Sequence, residues 1–149
     1  MIALKAEAQA FVDKYKLQNY KNDNLSVIIT GMGSDAMFVA TTNILKKFKE
    51  NDIILNVGIC GANQNYTIGQ LIDSRYDEIT CSKTEVSKTN FSIVDMESLG
   101  FKNATKGVKN SFIFKIVSDH FEPKKVTKDK AKQLIFNKID EIMQRIENA

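Results

Sequence analysis

The chain has 149 residues, 43% of them apolar and 26% charged, with a formal net charge of +3. It is long enough to bury one core without staples, and this balance excludes a wholly disordered or collagen-like chain. The charge is too small to argue for a nucleic-acid partner by itself, and no apolar run approaches the ~20 residues that cross a bilayer. Met1 to Leu4 meets Lys5 and Glu7 at once and does not read as a signal peptide. Cys60 and Cys81 sit in no CxxC or Cys/His pattern, so neither a disulfide framework nor a metal site is expected. The reading is one soluble, cytoplasmic domain over residues 1–149.

Strands and helices alternate along the chain. Ile2 to Leu4 is a short apolar start, and Lys5 to Leu17 follows as a helix with Phe11 and Tyr15 four apart. Leu25 to Thr30 is β-branched and continuously apolar after Ser26, as a strand covered on both faces should be. Gly31 and Gly33 break it, and Met37, Ala40, Thr41, Ile44 and Phe48 recur at helical spacing. Ile53 to Val57 reads as a buried strand ended by Gly58 and Gly61, and Ile68 to Ile72 as a strand after a turn at Gly69. Residues 73–90 are polar and show no period. Phe91 to Val94 and Phe112 to Val117 read as strands, with a short helix at Met96 to Thr105 between them. Thr127 is a plausible N-cap for one long final helix whose stripe is Ala131, Leu134, Ile135, Ile139, Ile142 and Ile146. The pattern predicts a three-layer α/β/α domain with a mostly parallel central sheet. In such sheets ligands gather at the carboxyl ends of the strands. Glu7, the two glycine turns, Glu97 and Asp119 each follow an apolar segment, so all five are expected near one rim.

Several short motifs carry chemistry. Gly31-Met-Gly-Ser-Asp-Ala36 fits GxGxxA between a strand and a helix, where free N–H groups meet an anion or a hydroxyl. A tight turn with no ligand explains it equally well. A dinucleotide site would want an acid at the end of the next strand, and Asn56-Val57-Gly58 supplies none. Asp95 and Glu97 are two apart and share a face of an extended segment. Asp119 follows Phe-Ile-Phe-Lys-Ile-Val and Ser118, where burial would raise its pKa and suit it to give up a proton. His120 reads as a loop histidine, and the lysines from Lys124 to Lys132 as a solvated helix start.

Taken in order, these segments resemble the nucleoside phosphorylase superfamily and, within it, the methylthioadenosine/S-adenosylhomocysteine nucleosidases. Ala3-Leu-Lys-Ala-Glu7 is similar to the family's first strand and its acid. Thr30-Gly-Met-Gly33 is similar to its first glycine turn, and Asn56-Val-Gly-Ile-Cys-Gly-Ala62 to its second. Val94-Asp-Met-Glu97-Ser is similar to its ribose-binding motif, and Lys115-Ile-Val-Ser-Asp119 to the motif carrying its acid. The resemblance implies a nucleoside phosphorylase-like fold and cleavage of an N-glycosidic bond without cofactor. It implies Glu7 and Asp119 as catalytic residues, Thr30, Gly31, Gly58, Met96, Glu97 and Ser118 as substrate-binding residues, a nucleoside or purine base as small-molecule partner, and a homodimer. Asn56 and Ile59 stand where phosphorolytic members have arginine and serine, which favours water over phosphate. Lys115 stands where the family commonly has arginine, and residues 73–90 are shorter than the family's segment. The alternative is a binding protein of the same fold that has lost catalysis.

Overall fold

The computed structural model describes residues 1–149. Five helices and five strands form in chain order: α1 (Lys5–Tyr15), α2 (Ser34–Leu45), β1 (Ile54–Ala62), β2 (Leu71–Asp73), β3 (Thr80–Cys81), β4 (Ile93–Asp95), α3 (Ser98–Ala104), β5 (Ser111–Asp119), α4 (Lys128–Phe136) and α5 (Ile139–Glu147). The strand order is β2-β5-β1-β4-β3. The long central strands β1 and β5 run parallel, as does the pair β3 and β4, while β2 joins β5 and β4 joins β1 antiparallel. The central pair is therefore parallel, the contacts on either side of it are antiparallel, and the outer contact between β4 and β3 is parallel again.

Period-two alternation sends the central strands' side chains to two cores. Val57, Phe114 and Ile116 face one layer of helices and pack with Ala8 and Phe11 of α1, Leu134 and Ile135 of α4, and Ile139 and Ile142 of α5. Ile54, Cys60, Ile113 and Val117 face the other layer and pack with Met37 of α2 and Phe101 of α3. These are the three layers expected. Each fully buried Ile, Leu or Phe contributes about 1.5–3 kcal/mol. α2 and α3 approach very closely: a Cβ on Gly100 would stand 2.0 Å from the Ser34 carbonyl oxygen.

Several elements differ from the sequence reading. Leu25 to Thr30 is not a continuous strand, and its Ile29 pairs only in an isolated parallel bridge with Ile2. Its first half pairs instead with the turn before it, the Val27 N–H donating to the Tyr20 carbonyl at 2.8 Å beside an isolated antiparallel bridge between Lys21 and Ser26. β1 and β5 each run to nine residues, past Gly58 and Ser118, because each pairs with the other along its length. The final helix is two helices. The apolar stripe continues through the break, but Asn137 caps the end of α4 and Lys138, at φ −111°, is the N-cap of α5; asparagine competes for backbone bonds in a helix interior. Thr127 does cap α4, its Oγ1 accepting from the Lys130 N–H at 3.1 Å.

Candidate active site

Glu7 lies in the first turn of α1, which starts where Leu4 is still extended. Its Oε2 accepts from the Leu4 N–H at 3.0 Å, and its Oε1 accepts from the Ile59 N–H of β1 at 3.1 Å. The carboxylate thus joins the start of α1 to the sheet. Burial pushes its pKa above the usual glutamate range, against the pull of the Lys115 ammonium and these two amides.

Glu97 follows β4 and is buried, and its Oε2 accepts from the Gly33 N–H at 2.9 Å. Gly33 has φ +95°, a conformation glycine adopts without a Cβ penalty, and it leads into α2. The first glycine turn thereby presents its amide to a carboxylate of the protein itself. Asp119 ends β5. Its Oδ1 accepts from the Ser118 hydroxyl at 2.5 Å and its Oδ2 from the Glu122 N–H at 2.8 Å. The register with β1 slips between Cys60 and Gly61, and such a bulge re-aims the strand end. Gly61 leaves room for the Phe121 ring, which would be 3.1 Å from a Cβ there.

Beneath these groups sits a buried ion pair. Lys115 Nζ lies 2.9 Å from Asp95 Oδ2, and both side chains are 1% exposed. Asp95 also accepts from the Ser98 hydroxyl and the Ser98 amide. Burial works to raise the Asp95 pKa, but Lys115 and these donors outweigh it and hold it below the usual aspartate range. Burial likewise works to lower the Lys115 pKa, and Asp95, Glu97 and Glu7 outweigh it and hold the ammonium above its ordinary value. A Cβ on Gly58 would lie 3.3 Å from Lys115 Nζ and 3.4 Å from Glu7 Oε1. The absence of a side chain at 58 is what gives these two charges their space.

A cavity of about 220 Å³ opens at the carboxyl ends of β1 and β5. Glu7, Met96, Glu97, Ser118 and Asp119 all line it; Thr30, Gly31 and Gly58 do not. Gly31 instead donates to the Ala3 carbonyl, and Gly58 lies next to Lys115 and Glu7. Met32, Ile59, Cys60 and Phe121 add apolar walls, and residues 84–86 of the polar middle segment close one side. Five carboxylates (Glu7, Glu85, Asp95, Glu97 and Asp119) meet one cation in this lining, Lys128, and a second beneath it, the Lys115 ammonium paired with Asp95. That surface favours a ligand that carries or develops positive charge and disfavours a dianion. Sequence reading did not reach the Asp95–Lys115 pair, the Gly33 amide or residues 84–86; for the first two the partners are far apart in sequence.

No family profile and no curated protein matches the chain. Solved structures do. A Francisella philomiragia protein assigned to the 5′-methylthioadenosine/S-adenosylhomocysteine nucleosidases matches with a TM-score of 0.76 at 14% identity, over 99% of this chain and 97% of that one. The Helicobacter pylori nucleosidase with butyl-thio-DADMe-Immucillin-A matches at 0.75 and 12% identity, over 99% and 96%. The futalosine hydrolase of Helicobacter pylori matches at 0.68 and 12%, over 94% and 95%. The chain shares their fold. In this nucleosidase fold the cavity described above is bounded by the first helix and by the ends of the two central strands. No helix is long and apolar enough to cross a membrane.

Proposed function

We propose that the chain hydrolyses the N-glycosidic bond of a purine nucleoside or thionucleoside, as one nucleoside phosphorylase-like domain acting in the cytoplasm. The observation that carries this reading is the convergence of Glu7, Glu97 and Asp119 on one cavity, each held by backbone amides. The fold likeness supports it, since two such structures hold adenine and others hold immucillin-type analogues. In this reading Asp119 is the acid that delivers a proton to the base as the bond from ribose C1′ to the base nitrogen breaks, and the bonding electrons leave with the base. Glu97 accepts hydrogen bonds from the ribose hydroxyls, more strongly as the sugar becomes cationic. Met96 packs on the sugar. A water held by Glu7 attacks C1′ and passes a proton to that carboxylate. The raised Glu7 pKa suits it to accept that proton. This chemistry calls on no metal or organic cofactor.

Water as the nucleophile is favoured by the electrostatics. Asn56 is fully buried and lies outside the cavity lining, Ile59 offers a backbone amide already bonded to Glu7, and Lys115 is paired with Asp95. None of these provides a guanidinium fork for phosphate. Incubation with methylthioadenosine, with and without phosphate, tests the reading. The expected products are adenine and methylthioribose at a rate independent of phosphate. Formation of a ribose 1-phosphate would overturn the hydrolytic assignment, and saturable binding with no base release would establish the degenerate binding protein instead.

A further inference from the structure

The turn that follows β5 holds one aromatic side chain in a costly backbone conformation. Phe121 has φ +60°, in the left-handed region, where a Cβ is disfavoured and a bulky residue is rare. Its neighbours impose that conformation. Asp119 Oδ2 accepts from the Glu122 N–H at 2.8 Å and closes the turn around residue 121. His120 Nδ1 donates to the Ala62 carbonyl at 3.0 Å and ties the turn to the end of β1. Pro123, whose own φ is fixed, then opens a single turn of 3-10 helix.

The ring placed in this way does not serve the core. Phe121 is half-buried and packs with neither of the apolar clusters on the two faces of the sheet. It stacks on no other aromatic ring of the protein. Its Cδ1 and Cε1 lie over Gly61: a Cβ there would stand 3.1 and 3.4 Å from them, and 3.6 Å from Asp119 Oδ2. The ring therefore fills the space that a side chain at 61 would take, beside the carboxylate. It lines the cavity, and it is the one aromatic residue that does so; Met32, Ile59 and Val86 are aliphatic. A strained residue at a cavity wall, without a share in the core, has its use in what the cavity receives.

We propose that Phe121 is the surface on which the departing base stacks, so that the site selects nucleosides whose base is a planar heteroaromatic ring. This deepens the nucleosidase reading and rests on it. The ring offers a π face to the plane of the base while the neighbouring Asp119 meets its edge. The base is planar before and after the glycosidic bond breaks, so stacking holds substrate and transition state alike. Such uniform binding lowers KM and leaves kcat almost untouched.

The chain contains no tryptophan, so Phe121→Trp places a single fluorescent ring at this position. Titration with adenine should quench its emission with the dissociation constant that calorimetry gives. Phe121→Gly removes the ring and accepts the left-handed backbone without a Cβ penalty. It should weaken adenine binding roughly tenfold or more and raise KM for methylthioadenosine by a similar factor. Its kcat should stay near that of the wild type, and its melting temperature should not fall. Unchanged adenine binding by Phe121→Gly, or no quenching in Phe121→Trp while calorimetry shows adenine bound, would overturn the stacking role and leave hydrolysis by the wild type standing. A fall in kcat or melting temperature with KM kept would make the ring a prop for the strand end and overturn it equally. A wild type that neither binds adenine nor releases it from methylthioadenosine would end the nucleosidase reading and this inference together.

Discussion

On the face covered by α1, α4 and α5, the central strands present Val57, Phe114 and Ile116 to an apolar core. On the face covered by α2 and α3, the same two strands place Asn56, Gly58 and Lys115 among Ile54, Cys60 and Ile113. The first face is held by transfer of apolar area from water, a term that tolerates replacement by side chains of similar volume. The second carries buried charge, which is stable only while each group keeps its partner. The comparison teaches that one strand can serve stability and chemistry at once by giving alternate residues to each.

The largest expected effect lies at the rim where the polar face opens. Asp119→Asn keeps the side chain's shape and removes its acidic proton, so base release should fall about 10²–10⁴-fold. Nucleoside binding and melting temperature should change little. Wild-type release from the folded variant would mean that Asp119 only shapes the strand end.

Next comes the ion pair itself. Lys115→Met leaves Asp95 buried without its cation and should cost about 3–5 kcal/mol of stability, measured by denaturant unfolding. The pH dependence has a definite sign. The depressed Asp95 carboxyl contributes stability above its unfolded pKa and loses it as pH falls through the folded value, and the raised Lys115 ammonium loses its contribution as pH rises through its own. In the variant, Asp95 has no cation and its pKa rises. The gap between wild type and variant should therefore narrow as the solution is made acid. A gap constant with pH would show that Lys115 stabilises by packing alone. Glu7 works in the opposite sense: its raised carboxyl favours the fold at low pH, and that part fades as pH rises through its folded value.

The apolar face supplies the contrast. Ile135→Ala should cost about 2–5 kcal/mol by cavity formation, with no pH dependence and unchanged base release per folded molecule. A change in base release at constant folded fraction would break the division between the two faces.

Much of this division was legible in the sequence, and for stated reasons. The runs around Val57 and Phe114 are β-branched and apolar, and the stripe from Ala131 to Ile146 keeps its spacing even where the helix breaks. Glu7, Glu97 and Asp119 each stand just past an apolar segment, a position that periodicity can mark. What the glycines do was not legible. A glycine signals that something approaches the backbone, and the sequence does not say what: at Gly33 it is Glu97, and at Gly58 it is the Lys115 ammonium. Residues 84–86 reach the cavity from a segment with no hydrophobic period, so no local signal placed them. Residues 25–30 pair only through isolated bridges, in part with the turn at Lys21, and an apolar run does not mark such a partner.

Gly100 extends the same point to a site that touches no ligand. Any side chain there would drive the amino end of α2 outward, because the obstacle is the Ser34 carbonyl and not a flexible side chain. Ser34 is bonded covalently to Gly33, whose N–H aims Glu97. The α2–α3 contact thus acts as a lever, with its fulcrum at position 100 and its short arm ending on the Glu97 carboxylate. Drift at this one codon would be felt as a mis-aimed acid before it was felt as a weaker fold.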